Sequence, residues 1–396
     1  MKRNPLSAPS LPLTFAAPAG YVPSSFALVG VWAYMSTTGL LISELSINVA
    51  CSIGRPSGVS LLSLGELTLG KAGSVVAALS YTLLHYAILT AYTSQGGAML
   101  IELLRWAESA LHTSNVLPPQ ALMGTLFAVA IGGGMYALSK GTVERINNAM
   151  VAAVIASFGL VVAGAGGHVD ASRLLSDMHW GSLVHGSILP VLFVSCVYHN
   201  VVSTVTMRLE GDRKKIRRVI LGGSALPLAM FLIYNGAILG SGGLAAQDGL
   251  AVACFSLLAV ATSFVGFVEG LTELWTDVRI TALGQSQAHV AKTKYQSFIA
   301  TLVPPVAFTA LSPDIFLPAL DAAGTYGIAV LFGGLPAAMA WRNRQKEGKK
   351  GFKPFLGGGN GVLALVALIP ALLIGNRILE GVHNKNHKQA VHIADL

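Results

Sequence analysis

Charge is what this chain has least of. Only 11% of its 396 residues are Asp, Glu, Lys or Arg, while 53% are hydrophobic and the mean hydropathy is +0.63. A soluble globular chain carries about 25% charged residues, so the deficit implies a polytopic membrane protein. Cysteine is nearly absent too. Cys51, Cys196 and Cys254 lie far apart in apolar runs, with no CxxC and no Cys/His ligand spacing. Neither a structural metal site nor a disulfide framework is expected, and each cysteine reads as a small buried hydrophobe. No GxxxxGK[ST] loop occurs, which argues against ATP-driven pumping. Paired catalytic groups at convincing spacing are also missing, so neither an enzyme nor a cofactor is expected.

What the chain does have is apolar length. A membrane helix needs about 20 mostly apolar residues. Ten segments qualify: 26–52, 72–104, 120–138, 147–166, 184–207, 218–240, 249–276, 296–312, 315–341 and 361–376. Together they define an all-α polytopic membrane protein. Its 44 glycines suit close packing of membrane helices. The connections are short, so residues 1–396 are expected to form a single transmembrane domain, with a polar tail at 382–396. The strongest interruptions are expected in 184–207, starting at Pro190, and around Pro304, Pro305 and Pro318.

Lys and Arg are unevenly shared between alternate connections. One set holds 19 of them, including Arg55, Lys71, Lys140, Arg145, Arg208 to Arg218, Arg279, Lys292, Lys294 and Arg342 to Lys353. The other, with the C-terminus, holds 5. Positive loops stay on the cytoplasmic side or its organellar equivalent. Span 26–52 would then run inward and place Lys2 and Arg3 outside. The segment 11–25, broken by Pro12, Pro18 and Pro23, is too short to span. It reads as the outer half of a broken helix whose inner half is absent, which makes 1–25 a remnant.

The polar residues inside the spans are the functional candidates, because ionisable groups are costly at that depth. Tyr198, His199 and Asn200 sit side by side in the apolar run PVLFVSCVYHNVVSTV. Discontinuous membrane helices place substrate and ion sites near the midplane. There a histidine suits proton-linked work, although a buried histidine bonded to a neighbouring helix is the plain alternative. Ser195 and Ser203 could satisfy freed backbone groups. Glu269, Glu273 and Asp277 recur every four residues and share one helix stripe. Glu269 lies deepest and is a candidate proton-coupling acid with His199. Glu44 is either a coupling acid or a helix-end acid. Thr262 and Ser263 could coordinate a cation or satisfy backbone. Tyr81, His85 and Tyr92 fall on one face, where aromatics could pack a planar substrate or simply the core.

The stretches LPVLFVSCVYHNVVSTV, EGDRKKIRRVILGGSALPLAMFLIYN, LLAVATSFVGFVEGLTELWTD and LDAAGTYGIAVLFGGLPAAMAW resemble the hydroxy and aromatic amino acid permeases. The last of these, with GLLISEL, is most similar to plant and algal members. The resemblance runs over nearly the whole chain from about Leu11. It implies a proton-coupled symporter of the amino acid–polyamine–organocation superfamily, with two inverted five-helix repeats and broken first and sixth helices. Pro190, Phe193, Ser195 and His199 match the broken sixth helix, with Tyr198 at an aromatic position. Thr262, Ser263 and Asp277 match the eighth helix, and Tyr86 and Tyr92 the third. The glycine-rich first half of helix one is missing, Asn200 and Ser203 replace the family's residues, and Glu269 replaces an apolar one.

The implied function is transport of tyrosine or tryptophan across a plastid envelope or plasma membrane. The partners are the amino acid, protons rather than sodium, and the bilayer; no nucleic acid is expected. Tyr92, Phe193, Ser195, Tyr198, His199 and Asn200 would bind substrate. The rival reading is a non-transporting remnant or sensor that keeps the scaffold.

Overall fold

The computed structural model describes residues 18–54, 60–112, 117–176, 178–184, 187–241, 250–281, 283–347, 354–357 and 359–394. Among them, nine helices are long and apolar enough to cross a membrane. In chain order they include α1 (Tyr21–Ile53), α3 (Lys71–Leu111), α4 (Gln120–Ala137), α5 (Lys140–Gly166), α10 (Arg213–Gly240), α11 (Leu250–Thr281) and α16 (Gly359–Ala394). The other two are composite: Ile188–Arg208 and Phe316–Lys346. Short α2 (Leu61–Leu69) joins α1 to α3. The tenth sequence span, α13 (Tyr295–Leu311), is a shorter apolar helix of 17 residues. Its register matches 296–312.

Helix lengths differ from the sequence spans where polar ends continue the helix. α3 has 41 residues, about 60 Å at 1.5 Å per residue, against a hydrocarbon core about 30 Å thick. α1 begins at Tyr21, so residues 21–25, read as part of a remnant, belong to the first span. Residues 1–17 of that remnant lie outside the described residues. Cys51 is exposed rather than buried, because it sits on the last turn of α1.

The chain divides into two compact units. The first comprises Met1–Ala27 (described from Pro18), His85–Leu192 and Ala229–Asp321. In it, α11 packs on α5, α13 and α4, and α13 packs on α4. Glycine makes the closest approach possible: a Cβ on Gly97 of α3 would lie 2.5 Å from the Gly124 amide of α4.

The second unit comprises Leu28–Leu84, Phe193–Leu228 and Ala322–Leu396. Here α15 (Leu335–Glu347) packs on α16 and α2, and a π-helical stretch, Ala323–Gly334, packs on α15 and α16. That stretch is 12 residues long, and the Leu335 amide bonds the Val330 carbonyl five residues back. π-Helix occurs mostly as single turns, so this length is unusual.

Proline behaves differently from expectation. Pro190 is the third residue of α8 (Ile188–Ser195), where a missing N–H costs nothing because first-turn donors have no partner. The break follows at 196–198, before a 3₁₀ turn (His199–Val201) and α9 (Val202–Arg208). Pro318 likewise sits in the first turn of α14 (Phe316–Ala322). Pro304 and Pro305 lie inside the continuous helix α13. Pro304 deprives the Ala300 carbonyl of its helical donor, and the Tyr86 hydroxyl supplies one at 2.7 Å. Pro370 does the same to Val366 in α16, whose carbonyl accepts from Tyr34 at 3.0 Å. At Pro304 and Pro370, a tyrosine from a neighbouring helix thus supplies the bond that the proline removes.

Contacts gather the basic residues at one end of each unit. In the second unit, Arg344 bonds Glu44, Lys346 bonds the Leu67 and Thr68 carbonyls, and Arg213 and Arg217 bond the Pro354 and Phe355 carbonyls. In the first, Lys140 pairs with Glu273, Lys294 bonds the Tyr136 carbonyl, and Arg279 bonds the Thr293 carbonyl. These are the connections that carry the sequence's basic excess. Asp212 accepts from the Lys214 and Lys215 amides at 2.9 and 3.1 Å and so caps α10. The Lys215 amide is the main cause holding its carboxyl below the ordinary value.

Candidate functional site

The break at 196–198 is the local event that builds the site. α8 ends with Ser195, and the chain turns through Cys196, Val197 and Tyr198 before resuming. Tyr198 is in a non-helical conformation, φ −145° and ψ 7°. The turn swings consecutive aromatic rings together: the Tyr198 and His199 centroids are 4.8 Å apart at 30°. Phe332, from the π-helical stretch, covers the imidazole at 4.7 Å and 24°. His199 is therefore sandwiched between two aromatic rings and is only 3% exposed.

α1 provides the polar side of this pocket. His199 Nε2 lies 2.8 Å from Thr38 Oγ1 and 3.1 Å from the Met35 carbonyl oxygen. Tyr198 donates to that same carbonyl at 3.4 Å. Gly39 makes room: a Cβ there would lie 2.8 Å from the Tyr198 hydroxyl. Buried Nδ1 of His199 has no hydrogen-bond partner among the described residues. Beside the sandwich, Phe193 meets Tyr34 edge to face at 5.6 Å. Beyond it, a seam of hydroxyls continues between α1 and α9: Thr206 donates to Ser43 at 2.9 Å and Ser46 to Ser203 at 3.0 Å. Ser203 thus pairs with a side chain and does not repair backbone.

The second unit therefore brings together Phe193, Tyr198 and His199, with Ser195 and the exposed Asn200 at the edges of the break. Glu44 lies further along α1, 1% exposed, gripped by Arg344 at 2.7 and 2.9 Å and by the Phe355 amide at 3.1 Å. Its carboxylate is committed to a buried ion pair near the basic end.

The remaining candidates lie in the first unit. Phe267 of α11 sits against both His85 and Tyr92, at 5.2 and 6.0 Å, so these two side chains do share a face of α3. Tyr92 also interacts with the Ser263 hydroxyl. Thr262 donates to the Ala259 carbonyl at 3.1 Å, the backbone-satisfying alternative. Glu269, Glu273 and Asp277 form the expected stripe, and it is exposed. Glu273 pairs with Lys140 at 3.4 Å, while Glu269 has no hydrogen-bond or ion-pair partner among the described residues.

Sequence reasoning missed Thr38, the Met35 carbonyl, Gly39 and Phe332. Only Gly39 carried a signal, since glycine inside an apolar helix marks close approach. Thr38 and Phe332 reach His199 from positions 161 residues before it and 133 after.

A multi-pass helical protein with one span broken around a buried, aromatic-clasped histidine has the build of a solute transporter rather than an enzyme. The comparisons agree. The tryptophan/tyrosine permease family profile matches residues 9–246 and 245–376, and the chain belongs to that family. It is 27% identical over 396 residues to the tyrosine-specific transport system 1 of Haemophilus influenzae, covering 92% of this chain and 90% of that one. The tyrosine-specific transport system 2 of the same organism is 28% identical over 397 residues, with 92% and 89% covered. The tryptophan-specific transport protein of Pseudomonas aeruginosa is 28% identical over 384 residues, with 89% and 86% covered.

Proposed function

We propose that this chain is a secondary active transporter that carries tyrosine or tryptophan across a membrane together with a proton. One observation carries the reading furthest. The broken span of a tryptophan/tyrosine permease family member holds a buried histidine between two aromatic rings, with one ring nitrogen unpartnered among the described residues. Aromatic faces suit an aromatic side chain, and an imidazole can take up and release a proton. In this reading Phe193, Tyr198, His199, Ser195 and Asn200 form the substrate site of the second unit, Tyr92 is a separate substrate-contact candidate in the first, and His199 takes the proton. Glu269 is the second candidate for protonation, as an acid lying within the α11 span. Glu44, held by Arg344, serves the scaffold. The inverted five-helix repeat supplies the alternating access, and the membrane is the plastid envelope or the plasma membrane.

Uptake of labelled tyrosine and tryptophan into proteoliposomes, with an inward proton gradient on and off, tests this. Accumulation of either that depends on the gradient is the expected result. Uptake driven equally by sodium alone contradicts proton coupling. No uptake of either by well-folded protein contradicts the transport reading.

A further inference from the structure

Resting on the reading of His199 as the proton carrier, we propose that Thr38 is a positioning residue. It holds the imidazole in the Nε2–H tautomer, so that Nδ1 is the one place where a proton can be added.

Hydrogen-bond bookkeeping leads to this. Three groups meet at one point: Thr38 Oγ1, His199 Nε2 and the Met35 carbonyl. The carbonyl only accepts. Thr38 has a single hydroxyl proton, and it donates to the Met35 carbonyl at 3.1 Å. With that proton on the carbonyl, Nε2, 2.8 Å away, is the donor to Oγ1. The opposite tautomer fails twice. It would set the Nε2 lone pair against the carbonyl oxygen at 3.1 Å, and it would leave a buried N–H at Nδ1 without an acceptor.

With Nε2–H fixed, Nδ1 presents a lone pair in the plane of the ring. Tyr198 and Phe332 close both faces. Adding a proton at Nδ1 leaves both Nε2 acceptors in place, but the new N–H faces no acceptor among the described residues, so protonation there requires an incoming acceptor such as the substrate's carboxylate. The groups around it are few. α1 presents Met35, Thr38 and Gly39 with no charge, since Glu44 is engaged by Arg344. The His199 segment itself contributes Tyr198 and Cys196. The π-helical stretch presents Phe332, and Tyr326 is its one titratable residue.

The test is nitrogen NMR on the full chain in lipid, with ¹⁵N-histidine, the His199 signals being assigned by their loss in His199→Gln. At neutral pH we expect a protonated Nε2 and a bare Nδ1. Thr38→Ser, which keeps the hydroxyl, should give the same signature. Thr38→Val, which removes it at similar volume, should show a new Nδ1–H population. In transport, Thr38→Val should move the alkaline limb of the pH–uptake profile to lower pH by about half a unit or more, because the cation loses an acceptor. Thr38→Ser should restore it. A protonated Nδ1 in the unaltered protein, or a Thr38→Val signature identical to it, overturns the proposal. The NMR result stands whether or not the protein transports, so a failure of the transport reading is told apart from a failure of this one.

Discussion

At the scale of single residues, the site depends on one close approach and the second unit's basic end on a buried ion pair. Gly39 leaves no room for a methyl group beside the Tyr198 hydroxyl. Gly39→Ala should therefore displace Tyr198 and lower uptake roughly tenfold or more, with the thermal midpoint changing little. A purely structural role for Gly39 would lower both together. Glu44 and Arg344 form a bidentate pair whose carboxylate is 1% exposed. Breaking a buried pair strands a charge, at about 3 kcal/mol. Glu44→Leu and Arg344→Leu should each destabilise the detergent-solubilised protein by that order, and the double variant by less than their sum. Additive losses in thermal unfolding would mean that the pair does not act as a unit. Tyr198 and His199 were legible in the sequence because a hydrocarbon setting makes any ionisable group conspicuous. Thr38 and Phe332 were not, because a threonine or phenylalanine in an apolar run looks like ordinary helix until the fold places it against the imidazole.

At the scale of elements, proline was the signal most easily misread. The ring is disruptive only where a helix needs the missing N–H or where the freed carbonyl goes unsatisfied. Pro190 and Pro318 fall in first turns, and Pro304 is compensated by Tyr86. The break in the Ile188–Arg208 span was legible as an event but not in its position, since no residue type marks 196–198. The π-helical stretch was not legible at all: i to i+5 bonding leaves no periodic trace over 12 residues. The compensation at Pro304 is testable. Tyr86→Phe should cost about 1 kcal/mol by leaving the Ala300 carbonyl unpaired. Pro304→Ala returns a helical donor to that carbonyl, so the double variant should recover part of the loss. A double-mutant cycle with no coupling would show that the Tyr86 hydroxyl is not the substitute donor.

At the scale of the whole molecule, helix count was the most legible feature, because span length is set by the bilayer rather than by side-chain detail. Nine described spans and the 17-residue α13 correspond to the ten apolar segments. The basic connections meet at one end of each unit, as Arg344, Lys346, Arg213 and Arg217 do in the second and Lys140, Arg279 and Lys294 in the first. We propose that the basic end of each unit faces the cytoplasm or its organellar equivalent. Cys51, exposed on the last turn of α1, lies toward it. With Cys196 and Cys254 replaced by serine, Cys51 should react with a membrane-impermeant maleimide only after permeabilisation. Labelling of intact, right-side-out membranes would invert the assignment.

The central claim is that an aromatic amino acid and a proton move together through a site containing His199. The most direct measurement is proton entry into proteoliposomes carrying a trapped pH-sensitive dye, triggered by adding tyrosine or tryptophan with no imposed gradient. The account predicts acidification of the lumen that depends on the amino acid, and its loss in His199→Gln even where that variant still binds and exchanges substrate. Equal acidification by His199→Gln, or uptake of the amino acid with no proton entry in the unaltered protein, would contradict it.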